Sequence, residues 1–365
     1  MNRVFVGMDV HKEKIVAVGI PLEGTVPVFR EEFSGSDLSR IVKRLVRLSK
    51  THQVAACYEA GPCGYGLVRA LQEKGVDCHI VAPSLIPKKP GNRVKTDARD
   101  ARELALSLRA GTLTFVRIPS EEEESVRGLI RCREDIGKEV RRLKHIIAHW
   151  LLTHGYRKPS GVGNWSPTHW RWMRGMELAA LDREVLDHYL DTLRMLDERL
   201  QVIDGQIVEL SEADTYREKV RRLRAFRGFS ALGAMRVVAE VMEFTRFPSA
   251  PAFMKYAGLT PSEYSSSDRI RRGRITKAGN SLLRYVLVEA VQSVVRTPYP
   301  GRALLQRMEA VQGPLREIAV NCLGRLRTKF LRLLHRGVSS GKAKVAMARE
   351  LAGFVWAMMT APEAA

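Results

Sequence analysis

The sequence predicts an α/β domain joined to a mainly helical remainder, and three observations carry that expectation. Three short β-rich runs crowd residues 3–33. From there to about residue 118, helical stripes alternate with short apolar runs; beyond it, apolar residues recur mostly at helical spacing. Alternating strand and helix signals argue for a sheet covered by helices, whereas sustained helical spacing argues for helix packed on helix.

Taken in order, RVFVGMDV, KIVAVGI and roughly TVPVFREEF read as the strands of a meander. β-branched residues recur there between turn signals at His11-Lys12 and Pro21 to Gly24. Leu38, Ile41, Val42, Leu45 and Val46 follow at helical spacing, then the buried-looking strand VAACYE, a helix after Pro62, the strand DCHIVA and a helix beginning near Thr96. Three strands, then helix, strand, helix, strand, helix is the order of the ribonuclease-H-like α/β fold, with a mixed sheet covered by helices. This domain is expected at residues 1–118.

From Ser120 to about Gly155, Val126, Leu129, Ile136, Val140, Leu143, Ile147 and Trp150 recur close to a heptad. A stronger heptad runs through Leu186, Leu190, Leu193, Leu200, Ile203, Ile207 and Leu210. Each stripe needs a facing partner, so the two predict a coiled-coil helical hairpin over residues 119–215, with GVGNWSPTHWRWM as its connector. The same stripes could instead pair between chains. The three connector tryptophans suit packing at the hairpin tip, with nucleic-acid stacking as the alternative. Residues 216–365 then form a mainly helical C-terminal domain. Within it Arg227-Gly228-Phe229-Ser230 is a turn between two helical patterns, fit either to present amides to a phosphate or simply to pack.

Composition narrows the partners. The net charge is +20, and 27 Lys/Arg against 10 Asp/Glu fall between Tyr216 and Ala365. Such clustering favours a polyanion, and it makes the C-terminal part the expected phosphate-gripping surface. The five cysteines are scattered, without the short paired spacing of a zinc site, which fits a reduced cytosol. Neither a signal-peptide core nor a membrane-length apolar run is present, so a cytoplasmic, nucleoid-associated protein without a membrane partner is expected.

Four carboxylates stand out. Asp9 lies inside an apolar strand, where a charge without a partner is costly. Glu59 stands just past the apolar run VAACY, at the strand end where α/β sheets carry functional groups. Asp97 and Asp100, three apart at a helix start, share a face. Alone, that pair would read as helix N-terminal charges. If the first and fourth strands are neighbours, all four converge on one sheet edge, as an oxygen-rich site for one or two Mg2+ ions.

A second constellation is YAGLTPSEYSSSDRIRRGRITKAGNSLLRYVLVEA. It places Ser265, Ser266 and Ser267 beside Arg269, Arg271, Arg272, Arg274 and Lys277. The residues alone allow either a phosphate-binding serine loop or a serine nucleophile whose attacked phosphate is stabilised by guanidinium groups.

These segments resemble the DEDD-type insertion-sequence transposases, the bridge-RNA-guided recombinases, over nearly the whole chain. In the first half the resemblance runs through GMDVHK, YEAGPCGYG and VAPSLIPKKPGNRVKTDARDARELA; in the second, through FRGFSALGAMRVVAEV, FMKYAGLTPSEYSSS and GRITKAGNSLLRYVLVEA. Two motif sets in the right order make it specific. The resemblance implies a RuvC-like N-terminal domain, a coiled-coil middle and a C-terminal transposase domain whose serine forms a phosphoserine link with DNA. Carried onto this chain, the acidic four are Asp9, Glu59, Asp97 and Asp100, and the nucleophile is Ser266. The family's usual Ser-Ser-Gly-Gly is replaced by Ser265-Ser266-Ser267-Asp268, so Ser265 and Ser267 stay as alternatives. The resemblance also implies a noncoding bridge RNA that pairs with donor and target DNA. The heptad stripes predict a homo-oligomer, dimer or tetramer, because strand exchange needs two cut duplexes held together and one chain offers one serine loop. Two rival readings remain: a junction-resolving nuclease in which water attacks, and an inactive nucleic-acid-binding protein.

Overall fold

A period of two in the first residues builds one face of the sheet against the other. β1 (Arg3–Val10) and β2 (Lys14–Pro21) pair antiparallel across a tight turn that the His11 amide closes by donating to the Lys14 carbonyl at 2.9 Å. β3 (Phe29–Ser34) adds to β2, and α1 (Leu38–Ser49) follows, its N-terminus capped by Asp37 accepting from the Ser39 amide at 3.0 Å. β4 (Gln53–Glu59) then lies parallel to β1, α2 (Gly66–Glu73) leads to β5 (Asp77–Val81), and α3 (Asp97–Arg109) precedes the short edge strand β6 (Phe115–Val116). The computed structural model describes residues 2–87, 96–264, 271–296 and 299–362. Among these, the sheet has the order β3-β2-β1-β4-β5-β6, mixed parallel and antiparallel.

Alternation sorts the side chains into two layers. Val4, Val6, Met8, Val54, Ala56, Tyr58 and Ile80 face α1 and α2 through Ile41, Leu45, Leu67 and Leu71. On the opposite face Phe5, Ala55, Cys57 and Val81 meet Leu104 and Leu108 of α3, and Val16, Val18 and Ile20 meet Ala101 and Ala105. Gly7 makes the second layer possible. A Cβ there would stand 2.0 Å from the Ala101 carbonyl oxygen and 2.5 Å from the Ala105 nitrogen, so α3 rests directly on the β1 backbone.

The third strand starts later than the β-rich run beginning at Thr25 suggests. Arg109 donates to the carbonyls of Pro21 at 3.0 Å and of Leu22 at 3.4 Å, and also to that of Gly24. These bonds hold the segment as a loop turned at Gly24 (φ 82°), with Val26 79% exposed.

The chain forms two compact units, Met1–Ser120 and Glu121–Ala365. In the second, α4 (Glu121–Thr153) and α6 (Ala180–Ser211) run antiparallel, each roughly 50 Å long at about 1.5 Å per residue. Arg133 meets Asp204 at 2.7 Å and Lys144 meets Asp197 at 3.7 Å, while Leu143, Ile147 and Leu151 pack with Leu186, Leu190 and Leu193. α5 (Pro167–Arg174) lies in the connector, capped by Ser166, and Trp165, Trp170 and Trp172 pack on the apolar cluster at that end. Packing is thus the role their burial supports.

The remainder comprises α7 (Asp214–Arg224), α8 (Ala231–Val241), α9 (Ala250–Tyr256), β7 (Pro261–Glu263), β8 (Arg272–Ile275), α10 (Ser281–Arg296), α11 (Arg302–Glu309), α12 (Pro314–His335) and α13 (Ser340–Thr360). One core joins these helices to Val126 and Ile130 of α4 and Ile207 of α6. The turn between α7 and α8 is pinned into this core. Phe226 and Phe229 are buried, and Gly228 sits at φ 95°, where a Cβ would come 2.1 Å from the Ala290 carbonyl. Ser230 caps α8 by accepting from the Gly233 amide at 3.1 Å. No helix among the described residues is long and apolar enough to cross a membrane.

Candidate active site

In the first unit the site is built where β1 and β4 end beside the start of α3. Odd-numbered residues of β1 face α3, which assigns Asp9 to the face of Phe5 and Gly7. β4 runs parallel in the register Met8 to Tyr58, so Glu59 follows Ala55 and Cys57 on that same face. On α3, Ala101, Leu104, Ala105 and Leu108 form the buried stripe, and Asp97 and Asp100 occupy the first turn ahead of it.

Asp9, His11 and Asp97 each offer a ligand atom within 4.8 Å of the others. His11 Nε2 is 3.1 Å from Asp9 Oδ1, and Lys14 Nζ is 2.9 Å from Asp97 Oδ2. Among the described residues, that tight group does not include Glu59 or Asp100. Asp100 is felt nonetheless. Burial pushes the Asp9 carboxyl above its usual range, His11 opposes this, and the charges of Asp97 and then Asp100 push it up again. Asp97 is held low, chiefly by the Lys14 hydrogen bond. A half-buried carboxylate crowded by two like charges is stabilised by a divalent cation, so the donor set fits the metal that the sequence suggests. Sequence reasoning passed over His11 and Lys14. Their signal lay within GMDVHKEK: His11 is two residues from Asp9, and the tight turn returns Lys14 beside it.

In the second unit β7 and β8 pair as a short hairpin. Ser265, Ser266, Ser267, Asp268 and Arg269 lie outside the described residues. Arg271, Arg272, Arg274 and Lys277 are exposed. Arg271 accepts the Tyr264 amide at its carbonyl at 2.9 Å, and Arg272 Nε reaches Glu263 at 3.5 Å. Lys277 sits at φ 54° with its amide donated to the Gly258 carbonyl. The chain just after this basic run is anchored by Asn280. Its side-chain oxygen accepts from the Leu283 amide at 2.8 Å, capping α10, and its nitrogen donates to the buried Glu240, which Arg131 also grips at 3.0 and 3.1 Å. Asn280, Glu240 and Arg131, with Lys138, Arg141 and Tyr285, line a cleft of about 560 Å³.

A mixed α/β sheet carrying carboxylates at its strand ends is an arrangement found in nucleic-acid-processing domains, and the comparisons give the chain's family. Residues 220–306 match the transposase family described as IS116/IS110/IS902, and residues 6–155 match the DEDD transposases of the IS110 group. A transposase of Sinorhizobium fredii, y4qE, is 38% identical over 98% of this chain and 88% of its own length. The transposase for insertion sequence element IS1533 of Leptospira borgpetersenii is 32% identical over 67% of this chain and 71% of its own. That for IS1111A of Coxiella burnetii is 22% identical over 98% and 90%. The chain belongs to the IS110 family of DEDD-type insertion-sequence transposases. Its class of activity is therefore transposition, carried out on DNA.

Proposed function

We propose that this transposase cuts and rejoins DNA through a phosphoserine link at Ser266, with Asp9, Glu59, Asp97 and Asp100 holding Mg2+. The observation that carries the metal half is the grouping of Asp9 with Asp97 and His11 within 4.8 Å, at the edge where strand alternation also sets Glu59. A ribonuclease-H-like, RuvC-like domain over residues 1–118 is consistent with the strand order and with the family. A bound divalent cation supplies polarisation of the scissile phosphate. The Ser266 Oγ attacks phosphorus, an Oγ–P bond forms, the bond to the departing strand breaks, and the serine proton passes to the departing oxygen. Rejoining reverses these steps with another strand's hydroxyl. Arg269, Arg271, Arg272, Arg274 and Lys277 bind the phosphate backbone and offset its charge in the transition state.

In the same reading the hairpin over residues 119–215 assembles a dimer or tetramer, and the domain over residues 216–365 grips donor and target DNA. A noncoding bridge RNA supplies sequence choice by base pairing, which suits a chain with strong phosphate attraction. The protein then works in the cytoplasm, at the nucleoid. A denaturing gel after incubation with cleavable DNA and Mg2+ tests the central step. Wild type leaves a slowly migrating protein–DNA adduct; Ser266→Ala binds nucleic acid and forms none, while Ser265→Ala and Ser267→Ala keep activity. Equal cleavage by Ser266→Ala, with no adduct from wild type, would instead establish a water-attacking nuclease.

A further inference from the structure

The β1–β2 turn puts a nitrogen donor into a site otherwise made of oxygens. His11 is fixed at its backbone by the bond to Lys14, and its ring is 63% exposed with Nε2 directed to Asp9 Oδ1 at 3.1 Å. One ligand atom from each of Asp9, His11 and Asp97 lies within 4.8 Å of the others, close enough for the three side chains to hold one cation, whose ligand distances are about 2.1 Å. Lys14 meanwhile keeps Asp97 in place from its Oδ2 side.

We propose that His11 is itself a ligand of the cation centre, making a mixed nitrogen and oxygen site that binds Mn2+ more tightly than Mg2+. The proposal rests on the reading that Asp9 and Asp97 hold a divalent cation. Its chemical basis is donor preference. Mg2+ dehydrates reluctantly and favours oxygen, so an imidazole competes poorly with its water; a first-row transition ion accepts the nitrogen readily. The ring nitrogen of His11 lies 3.1 Å from Asp9 Oδ1, so the two groups would be held side by side to bind one cation together.

The intact protein, titrated with Mn2+ alone and then in competition with Mg2+, provides the test. Pulsed electron paramagnetic resonance of bound Mn2+ reads whether a nitrogen is coordinated. Wild type is expected to show histidine nitrogen modulation and to bind Mn2+ about tenfold or more tightly than Mg2+. His11→Ala should lose the modulation and weaken Mn2+ about tenfold, with Mg2+ affinity within about threefold of wild type. His11→Asn serves as a second variant that keeps a polar group in the turn. Absence of nitrogen modulation in wild type with Mn2+ bound, or its persistence in His11→Ala, overturns the assignment. Asp9→Asn separates the two layers of the argument. If it leaves Mn2+ affinity unchanged, the cation reading itself fails; if it abolishes binding while wild type shows no nitrogen, only the role of His11 fails.

Discussion

Asp9 combines a functional position with a local cost to stability. Burial raises its carboxyl, and the neighbouring charges of Asp97 and Asp100 raise it further against the opposing His11. An acid raised on folding destabilises the native state once it ionises, because the unfolded chain carries that charge more easily. Asp9→Asn should therefore raise the melting temperature of the metal-free protein at pH 7, by about 1–3 °C in a chelator-containing melt. The same change should lower strand cleavage by about 100-fold or more in an assay with Mg2+. A variant both less stable and fully active would contradict the assignment. Asp9 was legible because a charge in an apolar strand is rare, whereas Glu59, Asp97 and Asp100 were read from a strand end and a helix start. His11 was not, because an exposed histidine in a polar turn is ordinary until its distance to Asp9 is known.

Among the elements, α3 is the one whose seat decides the site. Gly7 lets the helix lie on β1, so Gly7→Ala forces the Ala101 and Ala105 backbone away and carries Asp97 and Asp100 with it. Denaturant unfolding should register a loss of about 1–3 kcal/mol, and cation binding should weaken in the same variant. A second test lies where α12 and α13 pack. Burial pushes the Glu350 carboxyl up, but hydrogen bonds from Lys329 and Arg325 outweigh this and hold it below its usual 4.5. A depressed carboxylate stabilises the fold above its unfolded value, and that contribution is lost as pH falls through the folded one. Glu350→Gln should cost roughly 1–2 kcal/mol at pH 7, and the gap to wild type should close as the pH drops below about 4. Periodicity made the long elements readable, from β1 to α3 and along both arms of the hairpin. It missed β6, which at two residues carries no period, and α5, whose tryptophans read as connector.

At the scale of the molecule, charge is the property that composition fixes most firmly. With 27 Lys/Arg against 10 Asp/Glu after residue 215, binding to non-specific duplex should be dominated by counterion release. Its affinity should fall on the order of 1000-fold between about 50 and 200 mM salt, in a filter-binding or anisotropy titration. A flat salt dependence would show that these charges do not meet the phosphates. The sequence by itself determined the family, the strand and helix order of the first unit and the basic C-terminal half, because each is written in local periodicity, motif spacing or summed charge. Only the tertiary structure decided that Asp97 and His11 reach Asp9, that Gly7 is the surface on which α3 rests, and that the tryptophans pack at the hairpin end. Those outcomes depend on distances between residues far apart in the chain, or on which way a turn faces, and neither is encoded in any local pattern.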